Sequence, residues 1–386
     1  MAFSGKATYD AGASLPEIHE DIADLVTAVT PFEAPFLDFL GDPMAPARST
    51  LHEWQEDALL PDNDALNGAV SSAGDTSWVV DNSSRFRVND IIRVEGSNET
   101  CLVTAINTGT ETLTVTRSYG DTAAASSYAD NSVIQILGTA ALEGADAPTP
   151  RFTNRSRATN YTQIFSETAK VSGTMEAVNR IGVGNELDYQ VEMRLKEQLR
   201  YLEKSVISGT QPDSTGQGSD TVGRSMDGII EKLSTHTYTA NSGTFASYGT
   251  DLTEPMLNLL IREVWENSNA PIDFILCNGF QKRKINGFLT PSRRHSGSEG
   301  TFTDRVQAYD SDFGELTVVL SRWVPKDTII VGSSALINVL PLEGRSFQSQ
   351  ALAKSGDYEQ RLVVGEYTLE LRNESAHGYL DTLSTS

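Results

Sequence analysis

The stretch NELDYQVEMRLKEQLRYLEKSVISG, residues 185–209, decides how the chain is read. Leu187, Val191, Leu195, Leu199, Leu202 and Val206 recur at steps of three and four, which puts them on one face of an α-helix. Asn185 is suited to cap the first turn, and Glu186 and Asp188 complement the positive end of the helix dipole. Gly209 is placed to end it. The spacing predicts a helix over 186–208. At 1.5 Å per residue, roughly 23 residues span about 34 Å, long enough for the strut of a domain.

Upstream, FTNRSRATNYTQIFSETAKVSGT (152–174) reads as an extended segment rich in Thr and aromatics. Before it, residues 76–138 hold SWVVD, DIIRVEG, ETCLVTAIN and TLTVTRSY, short segments rich in β-branched residues. Gly96-Ser97-Asn98 and Asn107-Thr108-Gly109 punctuate them as hairpin turns. A small antiparallel β-module, in the manner of a partial barrel, is expected there. Residues 43–75 lack a steady period, although LHEWQEDALL (51–60) fits a strand entering a long excursion. PDNDALNG (61–68) does not fit a calcium loop, because Leu66 stands where an oxygen ligand is needed after Asp64.

Nearer the N-terminus, Ser14 and Glu17 have capping-box spacing, and Ile18, Ile22, Leu25 and Val29 follow at helical spacing up to Pro31. In TPFEAPFLDFLG (30–41), Phe32, Phe36, Phe39 and Leu40 can share one short helical face. This acidic arm with an apolar stripe either packs on its own domain or docks on a neighbouring subunit. Downstream of the long helix, Thr253 opens a second helix carrying Leu257, Leu260, Ile261, Val264 and Trp265 along one side. PIDFILCNG (271–279) reads as a buried strand and FQKRKINGFL (280–289) as a helix. Strands FGELTVVLSRW, DTIIVGS, ALINVLPL and RLVVGEYTLELRN follow. Helices and strands alternate without a sustained βαβ rhythm, so the fold class is α+β.

Composition bounds the function. The 386 residues carry 30 Lys+Arg against 52 Asp+Glu, a formal net charge of −22. That charge disfavours a DNA-gripping protein, which needs clustered cations on a favourable field. No apolar run approaches a membrane span. MAFSGKATYD lacks the basic-then-apolar order of a secretory signal, so a soluble chain made in a reducing cytoplasm is expected. Cys101 and Cys277 are too few for a disulfide framework or a thiolate zinc site.

Signatures of catalysis are missing as well. Gly216-Gln217-Gly218 lacks the third glycine of a dinucleotide loop, and GRSMDG (223–228) has Asp227 where a nucleophile elbow needs its closing glycine. The five histidines are scattered singly. No catalytic residue, cofactor site or metal site is assigned, and the chain is not expected to be an enzyme. One basic cluster remains: Lys282, Arg283, Lys284, Arg293, Arg294 and Arg305. It pairs with acids of its own surface or contacts the acidic remainder of an identical subunit.

The order of elements then carries a resemblance. TPFEAPFLDFLG resembles the arm of tailed-phage head proteins, and FRVNDIIRVEG, CLVTAI and TLTVTR resemble the β-module some of them carry. The family usually has Gly-Asp where this chain has Asn89-Asp90; Asn also tolerates left-handed angles, so the turn survives. FSETAKVSGT leads into the long helix, RSMDGI follows it, and LAKSGDYEQRLVVGEYTLELRNESAHG (352–378) resembles the family's closing strand. The whole resembles the major capsid protein of tailed bacteriophages, with the Hong Kong 97-type fold.

That resemblance implies an N-terminal arm at 1–50 and an extension loop at 51–165 with the β-module at about 76–138. It implies a peripheral domain at 166–225 with its spine helix at 186–208. An axial domain at 226–340 and a return to the peripheral domain at 341–386 complete it. It also implies self-assembly into hexamers and pentamers of a head shell, icosahedral or prolate, enclosing double-stranded DNA without sequence-specific binding. Scaffold, portal and decoration or cement proteins are the implied partners, with no membrane and no cofactor. Phe32, Phe36, Phe39, Lys282, Arg283, Lys284, Arg293 and Arg294 are the candidate assembly contacts. The alternative is a virion accessory, decoration or tail protein, which predicts no long spine helix followed by a mixed domain.

Overall fold

The computed structural model describes residues 33–43, 45–141, 143–144, 146–147, 150–178, 184–212, 216–268, 270–288 and 308–385. The helix expected from Ser14 and the residues Phe32, Arg293, Arg294 and Arg305 lie outside them. The chain forms two compact units, one of Gln55–Ser156 and a main unit of the segments up to Trp54 and from Arg157.

The described chain begins with a short helix, α1 (Pro35–Leu40), and strand β1 (Leu51–Glu56). The Gln55–Ser156 unit then contributes β2 (Asn63–Ala65), β3 (Ser77–Val79), β4 (Asp90–Val94), β5 (Thr100–Asn107), β6 (Thr112–Thr116) and β7 (Val133–Thr139). Their order in the sheet is β2-β7-β4-β5-β6-β3. An antiparallel bridge between Leu66 and Val80 joins the two edge strands, so the sheet closes into a barrel rather than the partial one expected. The strand at Asn63–Ala65 also starts the module earlier than residue 76, within a polar run that carries no alternation. The core is alternate inward residues: Trp78, Ile92, Val94, Val103, Leu113, Val115 and Ile134 are all buried. Asn89 holds the expected left-handed turn, with φ +73°.

One ion pair sits inside this barrel. The Arg117 guanidinium grips Glu99 through two 2.6 Å hydrogen bonds, and Tyr128 Oη donates to the same carboxylate at 2.7 Å. Arg117 also donates to the carbonyls of Ser72 and Ala125 and lies over the rings of Trp78 and Tyr128. Burial opposes ionisation of Glu99, but hydrogen bonds from Arg117, Ala125, Tyr128 and Ser118 outweigh it and pull its carboxyl down to about 2.

The main unit resumes with β8 (Ser156–Tyr161), paired with β1, then β9 (Gln163–Ser172) and α2 (Gly173–Ala177). The long helix α3 runs Glu186–Ser208, and Asn185 caps it by accepting from the Leu187 and Asp188 amides. After it come α4 (Ile229–Lys232), β10 (Thr237–Thr239), α5 (Glu254–Asn267), β11 (Phe274–Cys277) and α6 (Gly279–Phe288). The remaining strands are β12 (Ala308–Ser311), β13 (Gly314–Leu320), β14 (Ile329–Gly332), β15 (Ile337–Pro341), β16 (Gln348–Ala351), β17 (Tyr358–Leu371) and β18 (Gly378–Asp381).

Two sheets organise this unit. One is the mixed sheet β10-β18-β14-β11-β13-β12, in which β11 pairs parallel with β13 and antiparallel with β14. Strand β11 is buried along its whole length because both faces of the sheet are covered. Ile275 and Cys277 face Leu257, Leu260, Ile261 and Val264 of α5. Phe274 and Leu276 face the opposite core, with Phe36, Leu202, Val206 and Ile207. Trp265, expected along the apolar side of α5, is instead half exposed and stacks on Phe313 at 5.2 Å. In the second sheet, β17 is the centre. It pairs with β9 on one edge and with β15 and β16 on the other.

Candidate assembly surfaces

Helix α1 is positioned by its aromatic pair. The Phe36 ring lies 5.7 Å from Phe274 and the Phe39 ring 5.8 Å from it. Phe36 is fully buried in the core of its own chain. Its side chain therefore has no surface left to offer a neighbour while the helix is seated. Trp323 Nε1 donates to the Glu33 carbonyl at 2.9 Å, tying the residues before α1 to the segment after β13.

Under α1 lies Glu203, on the buried face of α3 beside Leu202 and Val206. Its Oε2 accepts from the Phe36 amide at 3.2 Å and its Oε1 from Ser321 Oγ at 2.5 Å. Burial pushes its carboxyl up to about 7, against hydrogen bonds from Ser321, Leu37 and Phe36, with the Asp38 charge adding to the rise. The sequence carried a signal for this residue: a Glu beside the apolar row, at a position that shares the row's face.

A second carboxylate holds RSMDGI in place. Glu366 of β17 accepts from Thr162 Oγ1 at 2.6 Å and from Arg224 at 2.5 Å, and Arg345 reaches its other oxygen at 2.9 Å. Arg224 also donates to the Thr162 carbonyl at 2.6 Å. Asn160 completes the junction, donating to the Asp227 and Leu369 carbonyls.

Of the basic cluster, the three residues of α6 are described. Lys282 Nζ donates to the Val318 carbonyl at 3.2 Å, and Lys284 Nζ pairs with Asp251 at 3.3 Å. Arg283 is exposed on α6. The buried thiols of Cys101 and Cys277 are pushed up to about 12, each by burial first, so neither is nucleophilic near neutrality. Burial also drives His377 down to about 4, which keeps its imidazole neutral. Among the described residues no group of three His, Cys, Asp or Glu converges as metal ligands. None of their helices is long and apolar enough to cross a membrane.

Exposed apolar side chains mark other surfaces. On the two legs of the barrel unit, Leu59 is 93% and Phe152 79% exposed, and a hydrogen bond from Thr153 Oγ1 to Asp57 sets the legs side by side. The family model for the SU10 major capsid protein matches residues 3–384. The chain belongs to that family. It is therefore a phage major capsid protein, a structural component of the virion capsid. The major capsid protein of Escherichia phage Phieco32 is 26% identical over 268 residues, covering 58% of this chain and 75% of the relative.

Solved structures agree on the fold. The capsid of a native GTA particle matches with a TM-score of 0.55 at 9% identity, covering 99% of this chain and 100% of that one. The capsid of Myoviridae phage XM1 matches with a TM-score of 0.51 at 9% identity, covering 94% and 96%. At such identities the likeness speaks to fold alone. It gives this major capsid protein the tailed-phage capsid fold, α+β and Hong Kong 97-like, with the closed barrel as an insertion.

Proposed function

We propose that this capsid protein tiles a closed head shell as rings of six and five copies around packaged double-stranded DNA. The observation that carries the reading is the whole-chain likeness in fold to a particle capsid, with the long α3 strut and the β9–β17 sheet inside the matched span. Heterologous contacts of one chain close into rings, and rings tile a shell. In this reading residues 1–50 are the arm and 51–165 the extension loop with the barrel. Residues 166–225 and 341–386 form the peripheral domain, and 226–340 the axial domain at the ring centres. Arg283 on α6 and the exposed Leu59 and Phe152 of the barrel legs are contacts between copies. Scaffold, portal and decoration proteins are further partners.

The charge of −22 suits a wall that contains DNA without gripping it. Repeated over many copies it also adds self-repulsion, so assembly is expected to improve as salt rises from low to physiological. A shell yield that falls steadily over that range contradicts this. Electron microscopy of the protein, expressed alone or with its scaffold, tests the main reading: shells or six- and five-membered rings support it, and a stable monomer overturns it. Removing residues 1–41 is expected to leave soluble protein that closes no shells. Because that cut also removes Phe36 from the core, a second truncation ending at residue 32 separates loss of the arm from loss of packing.

A further inference from the structure

Residues 33–40 form a strap whose only buried polar anchor among the described contacts is one acid. The strap's helix has Phe36 in the core, its first amides on Glu203, and its leading carbonyl on Trp323 Nε1. The other polar tie, Arg322 to Glu33 at 3.3 Å, is largely exposed on both sides and holds little. Glu203 itself is fully buried on the apolar face of α3, with its two oxygens divided between the strap and Ser321 of the main unit.

Among the described residues no cation answers that carboxylate. Lys204, next to it on α3, points its amine over the Trp323 ring at 4.5 Å, and Arg322 reaches for Glu33. Asp38, on the strap, is a like charge. The elements around Glu203 therefore offer it hydrogen bonds and repulsion, but no counter-charge. An uncompensated buried anion is unfavourable, and lifting the strap is the simplest way to let water reach it. A neutral acid keeps both contacts, since one oxygen still accepts from Phe36 while the other donates to Ser321 Oγ.

We propose that Glu203 is a protonation-controlled latch: neutral, it fastens the strap to the main unit; ionised, it loosens the strap and uncovers Phe36 and Phe39. The two aromatics that pack inward here thereby become available surface in the open form. The latch is a property of the single chain, so it stands apart from how many copies form a ring.

The direction of the pH dependence follows from linkage. With the strap closed, burial holds the Glu203 carboxyl at about 7 against an ordinary 4.5. The closed strap is therefore favoured where Glu203 is neutral, and that advantage is lost as pH rises through about 7.

Trp323 is the local reporter. The full-length chain is labelled with 5-fluorotryptophan, and the Trp323 resonance is assigned with W323F. Expected is a shift of that resonance between pH 5.5 and 9 with a midpoint near 7, and none in Glu203→Gln, which stays closed throughout. Asp38→Asn, an exposed change, should move the midpoint downward by removing the like charge, and it keeps the test decisive should Glu203→Gln not fold. A flat Trp323 signal in the wild-type chain overturns the latch. So does a Glu203→Gln titration matching the wild type, or an unmoved midpoint in Asp38→Asn.

Discussion

The barrel and the main unit are built on opposite plans. The barrel takes its entire core from one continuous stretch, Leu66 to Ile134, and closes its own edges. Its buried acid, Glu99, meets its cation inside the same stretch. The main unit has no such self-sufficient segment. One core joins Phe36, Leu202, Phe274 and Leu369, and its central strand β17 pairs Tyr358 with Ser172. Of its buried acids, Glu366 is met by Arg224 and Arg345 from distant segments, whereas Glu203 has no cation among its described partners. Local closure is cheap in chain entropy, so a barrel of this kind can be inserted without rewiring the rest. A core gathered from the whole chain answers to changes anywhere along it.

The largest expected effect breaks the barrel alone. Arg117→Ala leaves Glu99 buried without its cation and should destabilise the barrel by about 3–5 kcal/mol. Differential scanning calorimetry should show one transition falling while the main unit's stays; a shared drop would mean the two units are not separate cooperative blocks. The converse change is Phe36→Ala, expected to cost the main unit about 3–4 kcal/mol through the cavity beside Phe274. The barrel's transition should not move.

Acid sharpens the contrast between the two buried carboxylates. Glu99 is held at about 2 against an ordinary 4.5, so its stabilisation is present above 4.5 and lost as pH falls through 2, about 3 kcal/mol in all. Glu203 has the opposite sign. Denaturant titrations from pH 6 to 2 should weaken the barrel and not the seat of the strap. The smallest effect is at Asn89, where φ is +73°. Asn89→Ala should cost the barrel about 1 kcal/mol and Asn89→Gly little or nothing, read as shifts in the denaturation midpoint.

The elements that could be read from sequence are those whose signal is local. Helix α3 has the ends its cap, period and terminal glycine announce. Strands β4, β5 and β6 are set apart by the two turns that punctuate them. Strand β2 was hidden because Asn63–Ala65 is polar and three residues long, and only its partner β7 makes it a strand. Closure of the barrel was hidden for a related reason: the Leu66–Val80 bridge depends on two edges meeting, not on either edge's composition. The aromatic stripe of residues 30–41 was legible as a stripe, but the side it faces was not.

By itself the sequence determined the α+β class, the strut helix, the hairpins of the module and, through the order of its segments, the capsid family. Period, turn chemistry and capping act within a few residues, so they are written where they act. Only the tertiary structure decided that Phe36 packs inward on Phe274, that Glu203 lies beneath it without a counter-charge, and that Arg117 closes on Glu99. Burial and charge compensation are set by residues far apart in the chain. An acid among 52 acids becomes distinctive only when folding removes its water.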